Sequence, residues 1–588
     1  MNEKNSEQSI SLSMIAAILV STAVYAALVY LFDFYYDLND DILIADILSG
    51  IYSGAAEAHN IQMLYPIAWL YTKLYNFNPA FPWMGASEIA IMWFCMVLVF
   101  ERTHRLISEN VEKKSLKVLS IIGMYICGIL FLVGANLWEM VVLQYTVVCG
   151  VMAATAAYLV FTSEVFEVVD NIPAIVLVIL AFNIRSEMLL LMCPFLAAAG
   201  ICKWITEGFS WKVNKKYLLF LGILIAGIGA SFIINERAYS SDEWSEFVDL
   251  FDARTQVYDF NGIPEYESNK AFYDSQFATK DDYDRLVDYN FAISDRMNAQ
   301  FMEEIAEYSA DQKADRRSLA DALFENIKAM ACIRTPGGRN NMVAEGSAFY
   351  EDNMKMHIPY NVIVIILYMA AIVGAILTKD IRWAYMLPVL FIMRTISWGY
   401  VFYNGRVNAR IAHPMYFIEI LILIAMLLMA WIESNYSTTR VMKITTWMLV
   451  LGFVTAAMIS AAFLPSSVKY DLQKKTEIRD EYNVMGRELY KYTSSNSRNY
   501  YFIDVYSTVN FTQKVFEKEV YSKANTQLAG GWAALSPIDT EKQSYYPDKA
   551  NWYFISEDEN VDRYELFDTI ASPDGEQKLY VYQMYEED

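Results

Sequence analysis

The sequence has few cysteines and no recognisable pattern among them. Six cysteines occur in 588 residues. Five of them lie in or at the ends of apolar runs, namely Cys95, Cys127, Cys149, Cys193 and Cys202. This distribution provides neither a disulfide framework nor the spacing typical of a metal site. Exterior domains without cystines fit a bacterial surface better than a eukaryotic lumen.

Positive charge is also scarce. Charged residues make up 19% of the chain, and the formal net charge is −22. Segments 236–355 and 465–588 together carry −20 of that charge. Such an acidic surface argues against nucleic acid as a partner and against tight binding to anionic lipid headgroups. The chain also lacks a glycine-rich loop of the kind that cradles phosphates, a repeat of fixed period and any low-complexity tract.

Long apolar runs, in contrast, are abundant. Hydrophobic residues make up 55% of the sequence. Runs near the ~20 residues needed to cross a bilayer recur along the chain, at about 12–32, 84–101, 118–134, 140–161, 217–235, 358–378, 383–402, 411–432 and 442–464. A further stretch, 173–202, is interrupted around Arg185. The first run has no clear cleavage site, so we expect a retained span.

Lysines and arginines predict the orientation of these spans. Four basic loops, at 102–117, 203–216, 379–382 and 440–443, should face the cytoplasm. All four basic loops can face the cytoplasm only if the stretch 173–202 crosses the membrane twice, with a turn near Arg185 on the outer side. The pattern therefore predicts a multi-pass protein of the cell membrane with about eleven crossings. Its N-terminus is expected to be cytoplasmic and its C-terminus extracytoplasmic.

This topology divides the chain into four parts. They are an N-terminal transmembrane region (1–235) with a first outer loop at 33–83, an outer acidic insert (236–357), C-terminal transmembrane helices (358–464) and an outer tail (465–588). The insert has helical composition over 281–307 and 311–330.

The tail changes character. It has a polar amphipathic helix at 474–492, and its β-branched and aromatic runs at 500–505, 552–556 and 579–583 predict strands. We therefore expect a polytopic α-helical membrane protein with an outer helical insert and a small C-terminal α/β domain.

The first outer loop carries a group of acidic residues. Asp40 and Asp41 precede an apolar stretch (42–52) too short to cross a bilayer, and Glu57 and His59 follow it. Acids at membrane depth are costly, so they are usually retained for function. One of the pair could act as a general base towards a hydroxyl, or both could hold a divalent cation such as Mg²⁺ or Mn²⁺. The competing interpretation is helix capping, which an Asn-Asp-Asp start also suits.

Later outer loops carry arginines. Arg406 and Arg410 lie on the exterior side against the positive-inside trend, and with His413 they form a compact cationic group suited to a phosphate or diphosphate. Arg185 is a further candidate, because a planar guanidinium matches a phosphate well. The competing interpretation is a local ion pair between Arg185 and Glu187. For Arg394, inside its own span, we expect either membership of the same site or snorkelling to the interface.

An acidic motif after the first span, arginines in later outer loops and a soluble tail resemble the GT-C superfamily of integral-membrane glycosyltransferases. Asn39-Asp40-Asp41 stands where the catalytic acidic motif of that family stands. The resemblance covers the architecture of roughly residues 12–464. The acidic pair is Asp-Asp rather than the frequent Asp-Glu, the insert is unusual, and the tail has no recognisable sequon-binding tryptophan motif.

The resemblance implies a hexosyl- or pentosyltransferase that uses a polyprenyl-phosphate sugar donor and an extracytoplasmic glycan, lipid or protein acceptor. Asp40 and Asp41 would be catalytic, and Arg185, Arg406 and Arg410 would bind the leaving phosphate, with Glu57, His59 and His413 as further substrate-binding candidates. Two other functions remain open. One is a transporter or flippase of a lipid-linked or anionic substrate, and the other is a non-catalytic cell-envelope polymer assembly protein.

Overall fold

The structure is a computed structural model, and its chain forms two compact units. It describes residues 3–294, 296–312, 318–331, 348–378, 380–405, 407–435, 452, 454–462, 472–517, 520–561 and 563–584. The first unit consists of Met1–Phe34, Ala86–Ala230 and Arg317–Lys474. The second consists of Tyr35–Gly85, Ser231–Arg316 and Lys475–Asp588.

The secondary structure is mainly helical. The α-helices up to the insert are α1 (Glu3–Leu31), α2 (Asn39–Ser49), α3 (Tyr65–Phe77), α4 (Trp83–Asn110), α5 (Lys114–Ala135), α6 (Leu137–Val141), α7 (Tyr145–Phe161), α8 (Ile172–Ile184), α9 (Ser186–Glu207) and α10 (Trp211–Ala238). Those that follow are α11 (Asp242–Thr255), α12 (Lys270–Ser275), α13 (Lys280–Val287), α14 (Ala299–Gln312), α15 (Leu319–Ala331), α16 (Ala348–Thr378), α17 (Trp383–Asn404), α18 (Ala409–Asn435), α19 (454–462), α20 (Lys474–Ser495), α21 (Val505–Thr508) and α22 (Pro537–Ser544). The strands are β1 (Tyr35–Tyr36), β2 (Val142–Leu143), β3 (Tyr500–Ile503), β4 (Thr526–Leu528), β5 (Trp552–Ser556), β6 (Glu565–Ala571) and β7 (Lys578–Gln583).

Seven helices among the described residues are long and apolar enough to cross a membrane. They are α1 from Leu12, α4, α5, α9, α10, α17 and α18 to Ile432. Shorter apolar helices occur at Tyr145–Phe161, Val169–Ile184 and Tyr360–Ile376. The protein thus has the composition and architecture of a helical membrane protein. Most of the predicted span at 442–464, together with the basic loop at 440–443, lies outside the described residues.

The predicted interruption of the apolar stretch 173–202 is present in the structure. α8 ends at Ile184, and α9 begins at Ser186. Arg185 between them is extended, with φ −154° and ψ 92°. The predicted fourth span is shorter than expected, because Gln144 begins a new helix by accepting a hydrogen bond from the Val147 backbone N–H. Gln144 therefore caps the helix that follows it.

The second unit brings together three separate parts of the chain. Its segments 35–85, 231–316 and 475–588 correspond to three of the segments predicted to lie outside the membrane. The prediction placed all three segments on the same side of the membrane, and in the structure they pack into one unit. The first of these segments contains α2 and α3, which have 11 and 13 residues and are too short to cross.

The tail contains a five-stranded mixed sheet among its described residues. Its strand order is β4-β3-β5-β7-β6, with β3 parallel to both β4 and β5, and with β7 antiparallel to β5 and β6. The predicted strands correspond to β3, β5 and β7, and the predicted amphipathic helix corresponds to α20. α20 covers one face of the sheet, because Met485 and Leu489 pack against Tyr501 and Ile503.

The insert is broken into shorter helices than its composition suggests. Instead of one helix over 281–307, the structure has α13, a 3-10 turn and α14. The break falls at Tyr289, whose φ of 61° lies in the left-handed region. Its ring packs edge-on to Tyr258, at 4.5 Å between centroids, within an aromatic core. α15, the last described helix of the insert, belongs to the first unit.

Candidate functional site

The predicted site residues are divided between the two units. Asp40, Asp41, Glu57 and His59 belong to the second unit. The cationic residues Arg185, Arg410 and His413 belong to the first. Arg406 lies outside the described residues.

Asp41 occupies the capping position of α2. It is the third helical residue, it is fully buried, and its Oδ2 accepts a hydrogen bond of 3.3 Å from the backbone N–H of Leu38. A side chain that reaches back from this position to the N-cap N–H satisfies one of the donors left open at a helix start. The geometry therefore favours capping for Asp41, which was the competing interpretation of the acidic pair.

Asp40 is placed differently. Its carboxylate is half-buried, and Oδ1 accepts a hydrogen bond of 3.1 Å from the indole Nε1–H of Trp532. Trp532 follows two glycines, and at Gly530 a Cβ atom would lie 1.8 Å from the Tyr289 carbonyl oxygen. Only glycine allows the loop to approach so closely, so the tail and the insert together fix the indole that orients Asp40.

The two acids do not form a cation site. Asp41 faces a backbone N–H and Asp40 faces an indole N–H, and both are hydrogen-bond donors. A cation needs oxygen ligands that converge on one point. Across the described part of the chain, no three His, Cys, Asp or Glu side chains gather as metal ligands would. The residues present therefore do not fit a bound Mg²⁺ or Mn²⁺ at this helix start.

Glu57 and His59 form an enclosed pair. His59 Nδ1 lies 2.7 Å from Glu57 Oε1, and Nε2 lies 3.1 Å from the Ala238 carbonyl oxygen. The imidazole stacks on Trp244 at 4.5 Å between ring centroids. Burial would raise the pKa of Glu57, but hydrogen bonds from the His59 ring and from nearby backbone N–H groups outweigh burial and lower that pKa. Because hydrogen-bond acceptors face both ring nitrogens, His59 links its own segment of the chain to the end of α10, where Ala238 lies.

Arg185 and Arg410 lie at helix starts in the first unit. The Arg185 guanidinium is 5.4 Å from the centre of the Tyr145 ring, and its Nε is 3.2 Å from Oε2 of the exposed Glu187. Arg185 precedes α9, and Arg410 is half-buried in the first turn of α18. Both arginines are thus held near helix N-termini rather than in helix interiors.

His413 pairs with an acid that the sequence analysis did not select. His413 Nδ1 is hydrogen-bonded to Glu139 Oε1, and both residues are buried. The Tyr360 ring lies 4.6 Å from the imidazole, and its hydroxyl donates a hydrogen bond of 2.8 Å to Asn136 Oδ1. These four residues (Asn136, Glu139, Tyr360 and His413) come from three different parts of the chain and form one polar cluster, which we call the Glu139 cluster.

A cavity of about 600 Å³ begins at the Glu139 cluster. The lining runs along α5 and its C-cap residue from Leu116 to Asn136, and along α18 from His413 to Trp431. At 1.5 Å per helical residue these stretches are ~30 Å and ~27 Å long, close to the thickness of the hydrocarbon core. The lining is mostly apolar, and its carboxylate, imidazole and amide groups all lie at one end.

Close helix packing fixes one wall of this cavity. At Gly150 on α7, a Cβ atom would lie 2.2 Å from Pro414 on α18. The glycine therefore lets the two helices approach at the turn that carries His413. Since side chains larger than hydrogen do not fit there, we expect the position of the imidazole to depend on Gly150.

Arg394 neither snorkels nor contributes a free cation. It is 1% exposed, its Nε lies 2.7 Å from Oε1 of Glu419, and it donates a hydrogen bond of 2.8 Å to Asn326 on α15. Tyr368 donates a further hydrogen bond of 2.9 Å to Glu419. A buried charge is tolerated when it is paired and hydrogen-bonded, so this pair links α17, α18, α16 and α15.

The second unit contains a buried ionic network of its own. Lys523 Nζ lies 2.5 Å from Asp46 Oδ2, and the Tyr52 hydroxyl donates a hydrogen bond of 2.6 Å to Asp539. Lys542 lies over the Tyr52 ring. Burial lowers the pKa of Lys542 to about 7 and raises the pKa of Asp539 to about 6, while their mutual attraction opposes both changes.

Sequence reasoning missed several of these residues, although some left a signal. Glu139 and Glu419 are isolated acids within apolar surroundings, a pattern that marks functional or paired groups in membrane proteins. Trp532 follows a Gly-Gly pair, which indicates a loop with special backbone geometry. Asp46 and Lys523 left no signal, because neither residue stands out among its sequence neighbours.

No family model, curated protein or solved structure matches this chain.

Proposed function

We propose that the protein is a membrane glycosyltransferase. It transfers a sugar from a polyprenyl-phosphate-linked donor to an extracytoplasmic acceptor. The proposal includes a GT-C-like architecture with about eleven crossings, a cytoplasmic N-terminus and an outer tail that forms a small α/β domain. The observation that carries it is the long apolar cavity of the first unit.

The shape of the cavity suits one long hydrocarbon chain. It follows α5 and α18 over ~30 Å, and its charged and amide side chains are confined to one end. A lipid with a polar head and a long isoprenoid tail has the same distribution of polarity. Under the predicted topology, the Glu139 cluster lies at the outer end of α5, where transfer to an exterior acceptor takes place.

The residues near that end are assigned to the head of the donor. His413, positioned by Glu139, lines the cavity, and Arg410 precedes it by three residues in the same helix. Residues three apart share a helix face. Arg410, Arg406 and Arg185 are proposed to bind the phosphate, since guanidiniums form charge-assisted bonds with phosphate oxygens.

Asp40 is the proposed general base. Its carboxylate is half-buried and oriented by the Trp532 indole, whereas Asp41 is engaged in capping. In the reaction, Asp40 takes the proton of the acceptor hydroxyl while the hydroxyl oxygen forms a bond to the anomeric carbon. The bond from that carbon to the phosphate oxygen breaks, and polyprenyl phosphate leaves. A single displacement of this kind inverts the anomeric centre.

The cavity offers a direct test of the proposal. Gly123 lines it, and a Cβ atom at Gly123 would meet no neighbour within 4 Å. Gly123→Phe should therefore fill the cavity without a clash. The matched control is Gly222→Phe on α10, which also has open space and lies outside the cavity lining.

The measurement is sugar transfer from polyprenyl-phosphate sugars by the purified, lipid-reconstituted protein. We expect the Gly123→Phe variant to lose at least about tenfold in donor affinity, which corresponds to about 1.4 kcal/mol. The control should retain wild-type affinity. Equal behaviour of the two variants would remove the cavity from the proposal, and absence of transfer by the wild-type protein would overturn the proposed function.

A second candidate function is transport of a lipid-linked substrate. The buried Arg394–Glu419 pair favours it, because ionisable pairs inside transmembrane segments often mark substrate or ion pathways. Movement of a fluorescent polyprenyl-phosphate lipid between leaflets of a proteoliposome, without any sugar transfer, would support this alternative. Arg394→Met together with Glu419→Met should then stop the movement.

A further inference from the structure

A small pocket lined by both apolar and polar residues lies within the second unit, beside the start of α2. Asn39 and Asp46 of α2, Asn483 and Arg487 of α20, and Gln527 of β4 contribute to its lining. Its volume is about 80 Å³. On the measure by which one water needs about 10–15 Å³, this is room for roughly five to eight waters.

The pocket is lined by two parallel strands of the sheet and by two helices. Ile503, the last residue of β3, lines it, as do all three residues of β4 (Thr526, Gln527 and Leu528). Residues of α2 and α20 contribute further lining.

The charges that line the pocket are already neutralised. Lys523 is paired with Asp46, and Arg487 is paired with Glu517. A phosphate or carboxylate would therefore find no excess positive charge. The uncharged polar groups of the lining are amides and hydroxyls, which both donate and accept hydrogen bonds, and the rest of the lining is apolar. Together with the ring of Tyr490, they suit a neutral molecule that carries several hydroxyl groups.

One lining side chain has an unused donor. Gln527 is fully buried, and its Oε1 accepts hydrogen bonds from Tyr500 at 2.8 Å and from Gln543 at 2.6 Å. Its Nε2 has no partner among the described residues. A buried donor without a partner destabilises the fold. A hydroxyl oxygen of a ligand in the pocket would satisfy it.

A glycine keeps the pocket open. Gly486 lies in the interior of α20 and lines the pocket, where a Cβ atom would come within 3.3 Å of the Phe511 ring. Glycine in a helix interior destabilises the helix relative to alanine. The backbone there is ordinary helix, so no left-handed conformation requires the residue. The absence of a side chain at Gly486 leaves room in the pocket.

We propose that this pocket binds a sugar residue of the acceptor, and this inference rests on the proposed transferase function. Asn39 lines the pocket, and Asp40 is the next residue of the chain. A hydroxylated acceptor held there would lie at the start of the helix that carries the general base. The acceptor class is thereby narrowed to a glycan.

The test measures binding of sugars without any donor. The probes are methyl glycosides of glucose, galactose, mannose and N-acetylglucosamine, titrated into the full-length protein in nanodiscs and followed by saturation-transfer NMR. At least one of these sugars should bind, with a dissociation constant in the millimolar range. Gly486→Leu, which fills the pocket, should weaken that binding at least about tenfold.

Two further variants control for damage to the fold. Gly486→Ala adds only a methyl group, so it should fold normally and weaken binding less than leucine does. Glu481→Leu places the same side chain at an exposed position of α20 and should leave binding unchanged. Failure of all four sugars to bind, or an equal effect of the two leucine variants, would overturn the proposal.

Failure of this inference can be distinguished from failure of the proposed function. If sugars bind as expected but no transfer from a polyprenyl-phosphate donor occurs, the result supports the sugar-binding pocket and contradicts the transferase function. If transfer to a glycan occurs and Gly486→Leu leaves its acceptor KM unchanged, the function stands and the pocket assignment is wrong.

Discussion

Each unit of the protein contains a carboxylate–imidazole pair, and the two pairs differ in their surroundings. In the second unit, the ring nitrogens of His59 face Glu57 and a backbone carbonyl, and an indole covers one face of the ring. In the first unit, His413 is held by Glu139 and also lines a large cavity. The pairing itself is therefore not diagnostic of function. Contact with an open cavity is the feature that distinguishes the two.

The largest effect on sugar transfer is expected at Asp40. Asp40 and Asp41 are neighbours in the chain, but only Asp41 is engaged in helix capping. Asp40→Asn should reduce sugar transfer by ~10²–10⁴-fold, the usual contribution of a positioned general base, with little change in melting temperature. Asp41→Asn should retain most of the activity, since an amide oxygen can still accept the Leu38 hydrogen bond. Transfer rates of the two variants in reconstituted protein test this. Full activity of Asp40→Asn would exclude it as the base.

Lys542 belongs to the enclosed ionic network of the second unit. We therefore expect it to influence the free energy of unfolding and not donor binding. Its folded pKa of about 7 lies below the ~10.4 of an unfolded lysine. Between these values the unfolded chain binds more protons, so stability should rise with pH by up to about 1.4 kcal/mol per unit from about pH 7 to 10.

Lys542→Met should flatten that rise, because methionine cannot take up a proton when the chain unfolds. Apparent melting temperatures of both proteins over this range provide the measurement. A rise that persists unchanged in the variant would show that other groups cause it.

A smaller effect separates the two histidines. His413→Gln should raise the donor concentration needed for half-maximal transfer by about tenfold, a loss of roughly one hydrogen bond to a charged group. His59→Gln should leave that concentration unchanged and lower the melting temperature, because stacking and two hydrogen bonds are lost. If both variants alter the donor requirement equally, the distinction between an enclosed and a cavity-lining imidazole is wrong.

The smallest effect concerns Glu57 in acid. Because its folded pKa is lowered, its contribution to stability should be fully present above its unfolded pKa of about 4.3. It should be lost as the pH falls through the folded value. Glu57→Gln should therefore lower the melting temperature at pH 6 by more than at pH 3. An equal loss at both pH values would mean that the carboxylate charge contributes nothing.

Local patterns predicted the fold better than the site. The helix break at Arg185, helix α20 and strands β3, β5 and β7 all have signals within a few residues of themselves. Asp40 is hydrogen-bonded to Trp532 across 492 positions, and His413 is paired with Glu139 across 274. No local periodicity encodes such partners. The left-handed Tyr289 is a further example, since tertiary packing of its ring overrides the helical composition around it.

The Asp46–Lys523 pair has a consequence for biosynthesis. Its two members are 477 residues apart in the chain. At the usual 5–20 residues per second, the ribosome needs roughly 25–95 s to make the intervening polypeptide. During that time Asp46 has been synthesised, but its counter-ion Lys523 has not. Chains that stop before Lys523 cannot form this ion pair, so we expect proteases to remove them.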